Sequence, residues 1–418
     1  MPAIRPFRAL RYNPERVPRL SDVLAPPYDV IDAEQQERLY QASPYNVVRL
    51  ILGKQHPNDT PEENRYVRAR RDFDAWRQHR ILQRDPAPAV YLIEQTFADE
   101  GGGLKSRLGF ISLLELSDGV ERSVHRHEAT LAAPKADRTK LLEALPASLE
   151  PIFCVYPDER DTVQLLLRGV TAHAAPSAQA SLGAETVRMW VVTDPAEIGR
   201  IQDHLARAAV LIADGHHRFE VAYANRRRYG AVMAYFASMA DPALVVRPIH
   251  RVIEQEPQGG EAVEAVCRME PAGDLDALIR WLGSGSDQGR FGYCDGKALY
   301  QATVTPERLA QWLMKPSVPF ALAALDVSLL HGAILPQLGL NPPTNTVGGG
   351  AQYTASAAEA VRAVQQGAGR SAWLLRGIPL GQVYVLASQG LTLPPKSTYF
   401  YPKVPSGVTI NPLDERAD

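Results

Sequence analysis

The chain has 418 residues, of which 45% are hydrophobic and 22% charged, and its 45 Lys and Arg against 47 Asp and Glu give a formal net charge of -2. This composition is ordinary for a globular protein of two or three domains, and the charge balance argues against a nucleic-acid partner, which would need a basic domain or stripe. The cysteines Cys154, Cys267 and Cys294 form no CxxC pair, so neither a zinc ribbon nor a redox motif is indicated.

The N-terminal residues, the apolar runs and the cysteines indicate the cellular compartment of the protein. Residues 1–10 carry arginines and prolines but no apolar segment of the signal-peptide kind, and no run approaches the length of a membrane span. A sparse, odd set of cysteines is typical of a reducing compartment. We therefore expect a cytoplasmic protein with no membrane partner.

The first part of the chain is predicted to contain an extended segment, a strand and a long helix. Residues 25–30 hold two prolines and should be extended or turning. The apolar run 46–52 predicts a strand. Thr60 and Glu63 have the spacing of a capping box, so we expect a helix over residues 60–82 with a basic, solvated face.

Strands and helices then alternate up to about residue 255, where glycine-rich segments begin. We predict strands at 90–97 and 108–116 as an antiparallel pair, further strands at 152–156, 187–193, 209–213, 235–239 and 245–253, and helices at 197–207 and after residue 218. We predict for the remainder a strand–turn–strand at 290–303, a helical stretch at 309–338 that is interrupted at Pro316 and Pro319, a capping box at Ser356 and Glu359, a strand at 371–376 and a helix at 380–389. The pattern predicts an α+β or mixed α/β fold, divided into residues 1–255 and 256–418.

The most informative stretch is residues 214–218, Asp-Gly-His-His-Arg. It follows the apolar run 209–213, which predicts a buried strand, and precedes apolar residues at helical spacing. A strand therefore ends, the chain turns at Gly215, and a helix begins. The N–H groups and positive dipole end of a helix N-terminus suit a phosphate, and a glycine lets the backbone approach a ligand closely.

A simpler interpretation of the same stretch is that Asp214 only caps the helix and that local carbonyls satisfy the imidazoles. Two adjacent histidines followed by an arginine at a strand-to-helix turn favour the other interpretation. We therefore interpret the segment as a phosphate-binding or phosphoryl-transfer turn.

A second charged segment spans residues 124–140. It is not the zinc-protease HExxH motif, because a leucine stands where the second histidine would be. Lys135 and Arg138 could contact phosphates, and Glu128 or Asp137 could orient a hydroxyl or hold Mg²⁺. The alternative is an exposed charged loop before a helix, with Asp137 as its cap.

A third segment, residues 394–403, contains Lys-Ser-Thr without the glycine-rich cradle of a P-loop. Lys396 with its two hydroxyl neighbours could contact an anion. Alternatively, residues 399–401 form a strand and Lys403 is solvated.

A fourth segment, residues 247–251, ends a predicted strand, and strand ends are where ligand contacts gather in open α/β sheets. It places His250 and Arg251 at such an end. A histidine in this setting is more often structural than catalytic.

Taken in chain order, these motifs resemble the large prokaryotic family known as domain of unknown function 1015. The motifs are residues 25–30, 127–130, 134–138, 214–218, 248–251 and 395–403, and the resemblance extends from Pro6 to Pro412. The turn at 214–218 resembles the phosphate-binding turn of the ParB, sulfiredoxin and free-serine-kinase superfamily. The chain lacks the helix-turn-helix domain of ParB and has a histidine in place of the sulfiredoxin cysteine, so the free serine kinases are the closest chemical match.

The resemblance implies a ParB-like nucleotide-binding core with a long N-terminal α/β region and a C-terminal α/β extension. It places nucleotide contacts at Gly215, His216, His217, Arg218, Lys135, Arg138, Lys396, Ser397 and Thr398. Catalytic roles are assigned to Glu128, Asp214, His216 and His217, metal binding to Asp214 and Glu128, and substrate contacts to Tyr28, Asp29, His127, His250 and Arg251. We expect these segments to converge, because one polyphosphate needs several cationic or hydroxyl groups at once.

The function predicted from these residues is a phosphotransferase that uses ATP or ADP with Mg²⁺ and acts on a small hydroxyl metabolite, free L-serine being the first candidate. A nucleotide hydrolase would use the same pocket without an acceptor site. A non-catalytic, nucleotide-gated regulatory module is the third alternative, which the ParB likeness allows. The expected partners are a nucleotide and a small-molecule substrate, and a homodimer is left open.

Overall fold

The computed structural model describes residues 2–99, 102–130, 132–256, 263–285, 287–340 and 350–413. The chain forms two compact units: unit 1 comprises residues 1–126, 130–245 and 402–418, and unit 2 comprises residues 127–129 and 246–401. The predicted division at residue 255 into two regions stays a prediction. The units show in addition that the chain after Pro402 returns to the unit in which it began.

Unit 1 is built around a large mixed sheet. The first twelve strands of the chain belong to this unit: β1 (Ile4–Arg5), β2 (Leu10–Tyr12), β3 (Leu82–Arg84), β4 (Val90–Ala98), β5 (Leu104–Glu115), β6 (Val124–Arg126), β7 (Ala147–Ser148), β8 (Ile152–Tyr156), β9 (Ala178–Leu182), β10 (Glu185–Val192), β11 (Val210–Asp214) and β12 (Ala231–Ser238). Within the described residues, nine strands form this sheet in the order β6-β11-β8-β12-β5-β4-β10-β9, with β1 beside β5. β11 runs parallel to β6 and β12 parallel to β8, whereas β11 and β8 are antiparallel. The predicted antiparallel pair is confirmed as β4 and β5.

The helices of unit 1 are α1 (Ala33–Ala42), α2 (Val48–Ile51), α3 (Arg65–Gln78), α4 (Ala132–Ala144), α5 (Thr162–His173), α6 (Pro195–Leu205), α7 (His216–Ala224) and α8 (Arg226–Tyr229). Helices α5, α6 and α7 contribute buried apolar residues to the core on the large sheet. Phe219 of α7 packs into the same buried core as Ile212 of β11 and Phe236 of β12. This burial fixes the first turns of α7 against the sheet, because full burial of such a side chain contributes about 1.5–3 kcal/mol.

Two predictions for the first part of the chain are wrong. The apolar run 46–52 forms the short helix α2 and not a strand, because Asn46 accepts a hydrogen bond from Val48 N (2.9 Å) and closes a local turn. A short buried apolar run does not by itself distinguish a strand from a helix. Helix α3 begins after Asn64, whose side chain accepts from the amides of Tyr66 and Val67, and not at Thr60.

Unit 2 contains a smaller sheet. Its strands are β13 (Val245–Arg247), β14 (His250–Ile253), β15 (Cys267–Pro271), β16 (Arg290–Cys294), β17 (Leu299–Val304), β18 (Ala351–Thr354), β19 (Ser371–Leu374) and β20 (Tyr399–Tyr401). Among the described residues, six of these form an antiparallel sheet in the order β15-β17-β16-β19-β14-β18, and β13 pairs with β20. A last strand, β21 (Asn411–Pro412), lies in unit 1 and pairs with β7.

The helices of unit 2 are short. They are α9 (Val263–Val266), α10 (Leu275–Gly283), α11 (Pro306–Leu313), α12 (Phe320–Ala323), α13 (Asp326–Leu329), α14 (Leu335–Gln337), α15 (Ala357–Gln365) and α16 (Leu380–Ser388), with a π-helical turn at Leu330–Ile334. Leu278 of α10 and Val361 of α15 pack with Val252 and Leu374 of the sheet into a second core. The two sheets with their helices confirm the mixed α/β class.

Prolines interrupt two predicted elements of unit 2. The predicted strand 245–253 is broken at Pro248, which cannot donate to a ladder. The predicted interruption of the helical stretch 309–338 at Pro316 and Pro319 is confirmed, and the stretch is divided into four helices and the π-helical turn. The hairpin of β16 and β17 and the Ser356 cap of α15 are as predicted.

Candidate functional site

The turn after β11 has the predicted form. β11 ends at Asp214, Gly215 takes a left-handed conformation (φ 88°) as the N-cap residue, and α7 begins at His216. The pairing of β11 with β8 shifts register between Ile212 and Asp214, and such irregularities redirect the chain at the end of a strand. Because Gly215 holds the N-cap position, the interpretation of Asp214 as the helix cap is wrong.

Gly215 lies directly against the guanidinium group of Arg218. A Cβ atom at Gly215 would lie 3.0 Å from Arg218 Nη2 and 3.1 Å from its Cζ. Arg218 donates from Nη1 to the carbonyl of Pro151 (2.5 Å) and from Nη2 to Asp214 Oδ2 (2.9 Å). A planar donor group is thereby fixed next to the first turn of α7, with only 11% of the side chain exposed.

Asp214 is shared by two cations. Its Oδ2 accepts from Arg218 and its Oδ1 pairs with the ammonium of Lys403, whose side chain is 11% exposed. The alternative interpretation of residues 394–403 is therefore wrong in placing Lys403 in solvent, whereas its strand at residues 399–401 is confirmed as β20. Burial raises the pKa of Asp214, but Lys403 and Arg218 lower it more, to about 2. Asp214 is thus ionised at neutral pH, and a carboxylate with so low a pKa is a poor general base.

A second group of buried charges lies beside this turn. The guanidinium of Arg138 stacks 3.8 Å from the ring centroid of Tyr28 and lies 3.6 Å from Glu150 Oε2. The other oxygen of Glu150 accepts from Tyr28 N (3.1 Å) and from Ser406 Oγ (2.9 Å). Arg138, Glu150 and Arg218 line one cavity of about 80 Å³. The structure thus brings together Tyr28, Arg138 and Arg218, which were predicted as site residues from three separate segments of the sequence.

The remaining predicted residues of unit 1 lie on or near α7. His216 is buried and His217 half-buried in its first turn, and Asp29 is exposed. Lys135 donates to Glu220 Oε2 (3.0 Å). The alternative of an exposed charged loop that ends at Asp137 as a helix cap is wrong for residues 132–138, because they already lie within α4.

In unit 2, His127 and Glu128 hold the turn that carries Lys396. Leu393 N donates to the carbonyl of His127 (2.8 Å), and Lys396 N donates to Glu128 Oε1 (2.9 Å). His127 Nε2 and Thr398 Oγ1 form a buried hydrogen bond of 2.8 Å. Lys396 has φ 58°, a left-handed conformation that is strained for a residue with a side chain. The Glu128 carboxylate stabilises this strained turn.

His250 and Arg251 form a buried cluster with His331, a residue that the sequence analysis missed. His250 Nδ1 accepts from Leu375 N (3.1 Å), which is a structural contact. Arg251 Nε donates to His331 Nε2 (3.0 Å), so the His331 ring is neutral. Burial and Arg251 lower the pKa of His331 to about 3 and that of His250 to about 4. No short-range pattern marks His331; its position in the π-helical turn is the signal, and only a structure shows it.

The predicted site residues thus form two groups. Unit 1 holds Tyr28, Asp29, Lys135, Arg138, Asp214, Gly215, His216, His217 and Arg218, and unit 2 holds His127, Glu128, His250, Arg251, Lys396, Ser397 and Thr398. Within each unit several of them are in contact. The convergence of the two groups on one ligand stays a prediction.

Two further findings concern metals and membranes. The part of the chain that the structure describes contains no group of three His, Cys, Asp or Glu side chains that could hold a metal ion. None of the described helices combines the length and apolar character needed to span a bilayer. A magnesium ion at Asp214 or Glu128 therefore stays a proposal, and nucleotide phosphates would have to supply most of its ligands.

Several solved structures are similar to this chain. They include a free serine kinase in complex with AMP (TM-score 0.34, 12% identity, 69% of this chain and 86% of that chain), a conserved hypothetical protein from Pyrococcus furiosus (0.35, 13%, 72% and 95%) and SbnI with a C-terminal truncation from Staphylococcus aureus (0.35, 10%, 74% and 90%). Similarity at TM-scores this low does not indicate the activity of this chain. No curated protein matches the chain.

The family assignment rests on the sequence. The model of the family described as "Protein of unknown function (DUF1015)" matches residues 4–328, which is more than three quarters of the chain. The resemblance to this family is thereby confirmed over residues 4–328, which contain five of the six motifs. The chain belongs to the DUF1015 family.

Proposed function

We propose that this chain binds the phosphate groups of a nucleotide at the N-terminus of α7 and transfers a phosphoryl group to a small hydroxyl metabolite. The observation that carries the proposal is the turn itself: a strand ends, a left-handed glycine follows, and a helix starts with the guanidinium of Arg218 fixed beside it. This arrangement combines backbone N–H groups, the positive end of a helix dipole and a planar cation at one place.

The residues present fit a phosphate. Phe219 N donates to Gly215 O (2.9 Å), so α7 is regular from its first turn and the N–H groups of that turn point along the helix axis towards its N-terminal end. Gly215 has no side chain that could cap these groups or screen them from a ligand. Arg218 can offer planar donors to phosphate oxygens, for which guanidinium geometry is well suited.

Phosphoryl transfer requires little covalent chemistry from the protein. Catalysis comes mainly from positioning the reactants and from stabilising charge on the transferred group. A magnesium ion, when bound with the nucleotide, would neutralise charge on the phosphate oxygens. His216, His217 and Arg218 would orient the phosphates, and Lys135 and Arg138 would add positive charge in unit 1.

Glu128 and Asp214 are the two carboxylates that could receive the proton of the acceptor hydroxyl. The low pKa of Asp214 makes it a poor choice, so Glu128 is the proposed base. Glu128→Gln should lower turnover by about a hundredfold or more, the scale of a lost general base, with little change in nucleotide affinity. A variant with full activity would remove Glu128 from this role.

Product analysis separates the proposed kinase from its rivals. Purified protein is incubated with ATP or ADP, Mg²⁺ and a panel of hydroxyl metabolites headed by L-serine, and products are read by ³¹P NMR and mass spectrometry. A phosphorylated metabolite supports the proposal. Free phosphate that forms equally without any acceptor supports a hydrolase, and binding with no turnover supports a regulatory module.

A further inference from the structure

The C-terminal part of unit 1 carries a cation to the turn at Gly215. Lys403 pairs with Asp214 Oδ1, although 189 positions separate the two residues in the sequence. Asp214 also pairs with Arg218, so one carboxylate holds two cations next to the N-terminus of α7.

The backbone around Lys403 is fixed by two buried polar side chains of the sheet. Arg107 Nη2 donates to the carbonyl of Pro402 (2.8 Å), and Gln95 Nε2 donates to the carbonyl of Lys403 (2.9 Å). Arg107 also donates to Gln95 Oε1 (2.6 Å), so the two side chains form one unit. Both are fully buried, at 0% exposure.

Placing Arg107 there is costly for the fold. Its guanidinium is buried with amide oxygens as acceptors and lies over the rings of Phe153 (4.6 Å) and Tyr235 (5.4 Å). Burying a charged guanidinium costs more free energy than burying an apolar residue of the same volume. A buried arginine that fixes the Pro402 carbonyl and the Gln95 side chain is therefore explained better by what it positions than by stability.

We infer that Lys403 is a phosphate-contacting residue of the nucleotide site, and that Arg107 and Gln95 are the residues that position it. The inference rests on the proposed function, since it names a further contact of the same site. Asp214 keeps the ammonium of Lys403 and the guanidinium of Arg218 side by side. A phosphate at the N-terminus of α7 would meet both cations.

The test is isothermal titration of ADP, inorganic tripolyphosphate and adenosine into the full chain and its variants. Lys403→Met should weaken ADP and tripolyphosphate binding about 10- to 100-fold, the usual value of a charge-assisted hydrogen bond. Adenosine, which has no phosphate, should bind with unchanged affinity. Lys105→Met is the matched control, because Lys105 is a lysine of β5 paired at 3.8 Å with Asp99, and it should change nothing.

The positioning role has its own variant. Gln95→Glu keeps an acceptor for Arg107 and removes the N–H that holds the Lys403 carbonyl. It should weaken ADP binding while leaving adenosine binding unchanged, whereas a merely structural defect would weaken both. Lys403→Gln, which keeps a donor to Asp214, serves if Lys403→Met lowers the melting temperature of the unliganded chain.

The outcomes separate the two proposals. If the wild-type chain binds no ADP or tripolyphosphate, the proposed function fails and the inference fails with it. If the wild type binds ADP and the Lys403 variants bind it equally well, only the inference is overturned. Selective loss of phosphate-bearing ligands in the Lys403 and Gln95 variants supports it.

Discussion

At the scale of single residues, Gly215 meets two requirements at one position. Its backbone has φ 88°, and a Cβ atom would lie 3.0 Å from the Arg218 guanidinium. The positive φ is a requirement of the backbone, and the close approach of Arg218 is a requirement of the candidate site. A substitution that disturbs both, compared with one that disturbs only the backbone, therefore tests whether the turn binds a ligand.

Gly215→Ala is expected to destabilise the chain by about 1–2 kcal/mol, because a left-handed conformation is costly for a residue with a Cβ. It should also weaken ADP binding about tenfold or more by displacing Arg218. Gly230→Ala is the matched control: Gly230 has φ 72°, and a Cβ atom there would meet nothing within 4 Å, so only stability should fall. Equal ADP affinity in both variants would remove Gly215 from the site. Thermal melts and ADP titrations measure both effects.

Asp214 gives the stability of unit 1 a pH dependence of known sign. Its pKa is lowered from 3.8 to about 2 in the folded chain, so its ion pairs stabilise fully above about pH 4 and are lost as the pH falls towards 2. The shift corresponds to about 2 kcal/mol. Asp214→Asn should therefore destabilise the chain more at pH 7 than at pH 3 in urea denaturation. A difference that stays constant with pH would contradict the paired carboxylate.

At the scale of elements, local patterns predicted β11, its turn and α7, since an apolar run, a glycine and helical spacing lie next to one another in sequence. Local patterns failed for residues 46–52, where Asn46 closes a turn that periodicity does not reveal. They failed for Lys403 for a different reason. Its partner Asp214 is 189 positions away, and nothing within residues 394–403 distinguishes a solvated lysine from a buried one.

The close approach of β5 to β12 predicts a strong effect at Gly109. A Cβ atom there would lie 2.3 Å from the carbonyl oxygen of Phe236 and 2.5 Å from the Tyr235 ring. Gly109→Ala should therefore destabilise the chain by about 3 kcal/mol, because backbone cannot move aside as a side chain can. Gly199→Ala on α6, with nothing within 4 Å, should instead stabilise it by up to about 1 kcal/mol. Urea denaturation compares the two, and equal effects would contradict the packing of β5 on β12.

The π-helical turn of unit 2 predicts acid sensitivity. Burial and the neighbouring Arg251 lower the pKa of His331 from 6.5 to about 3, so its neutral ring stabilises the fold above about pH 6.5, and this contribution is lost as the pH falls towards 3. His331→Gln keeps an acceptor for Arg251 Nε and cannot be protonated. Its stability should fall less steeply between pH 6.5 and 4 than that of the wild type. Identical slopes would show that His331 does not contribute to the acid transition.

At the scale of the whole molecule, the sequence predicted the mixed α/β class and the family but not the path of the chain. The segment after Pro402 belongs to unit 1, and His127 to Ala129 belong to unit 2 although their neighbours in sequence do not. Whether a segment belongs to one unit or the other depends on contacts between residues distant in sequence, which composition and periodicity do not reveal. The candidate site was predicted as one set of residues; these residues are divided between the two units, and their convergence on one ligand stays a prediction.

The central claim is that nucleotide phosphates bind at the N-terminus of α7, and a crystal structure of the chain with ADP tests it most directly. The account predicts a phosphate group within hydrogen-bond distance of the backbone amides of His216 or His217 and of the Arg218 guanidinium. ADP bound elsewhere on the chain, or with its phosphates away from α7, would contradict the account.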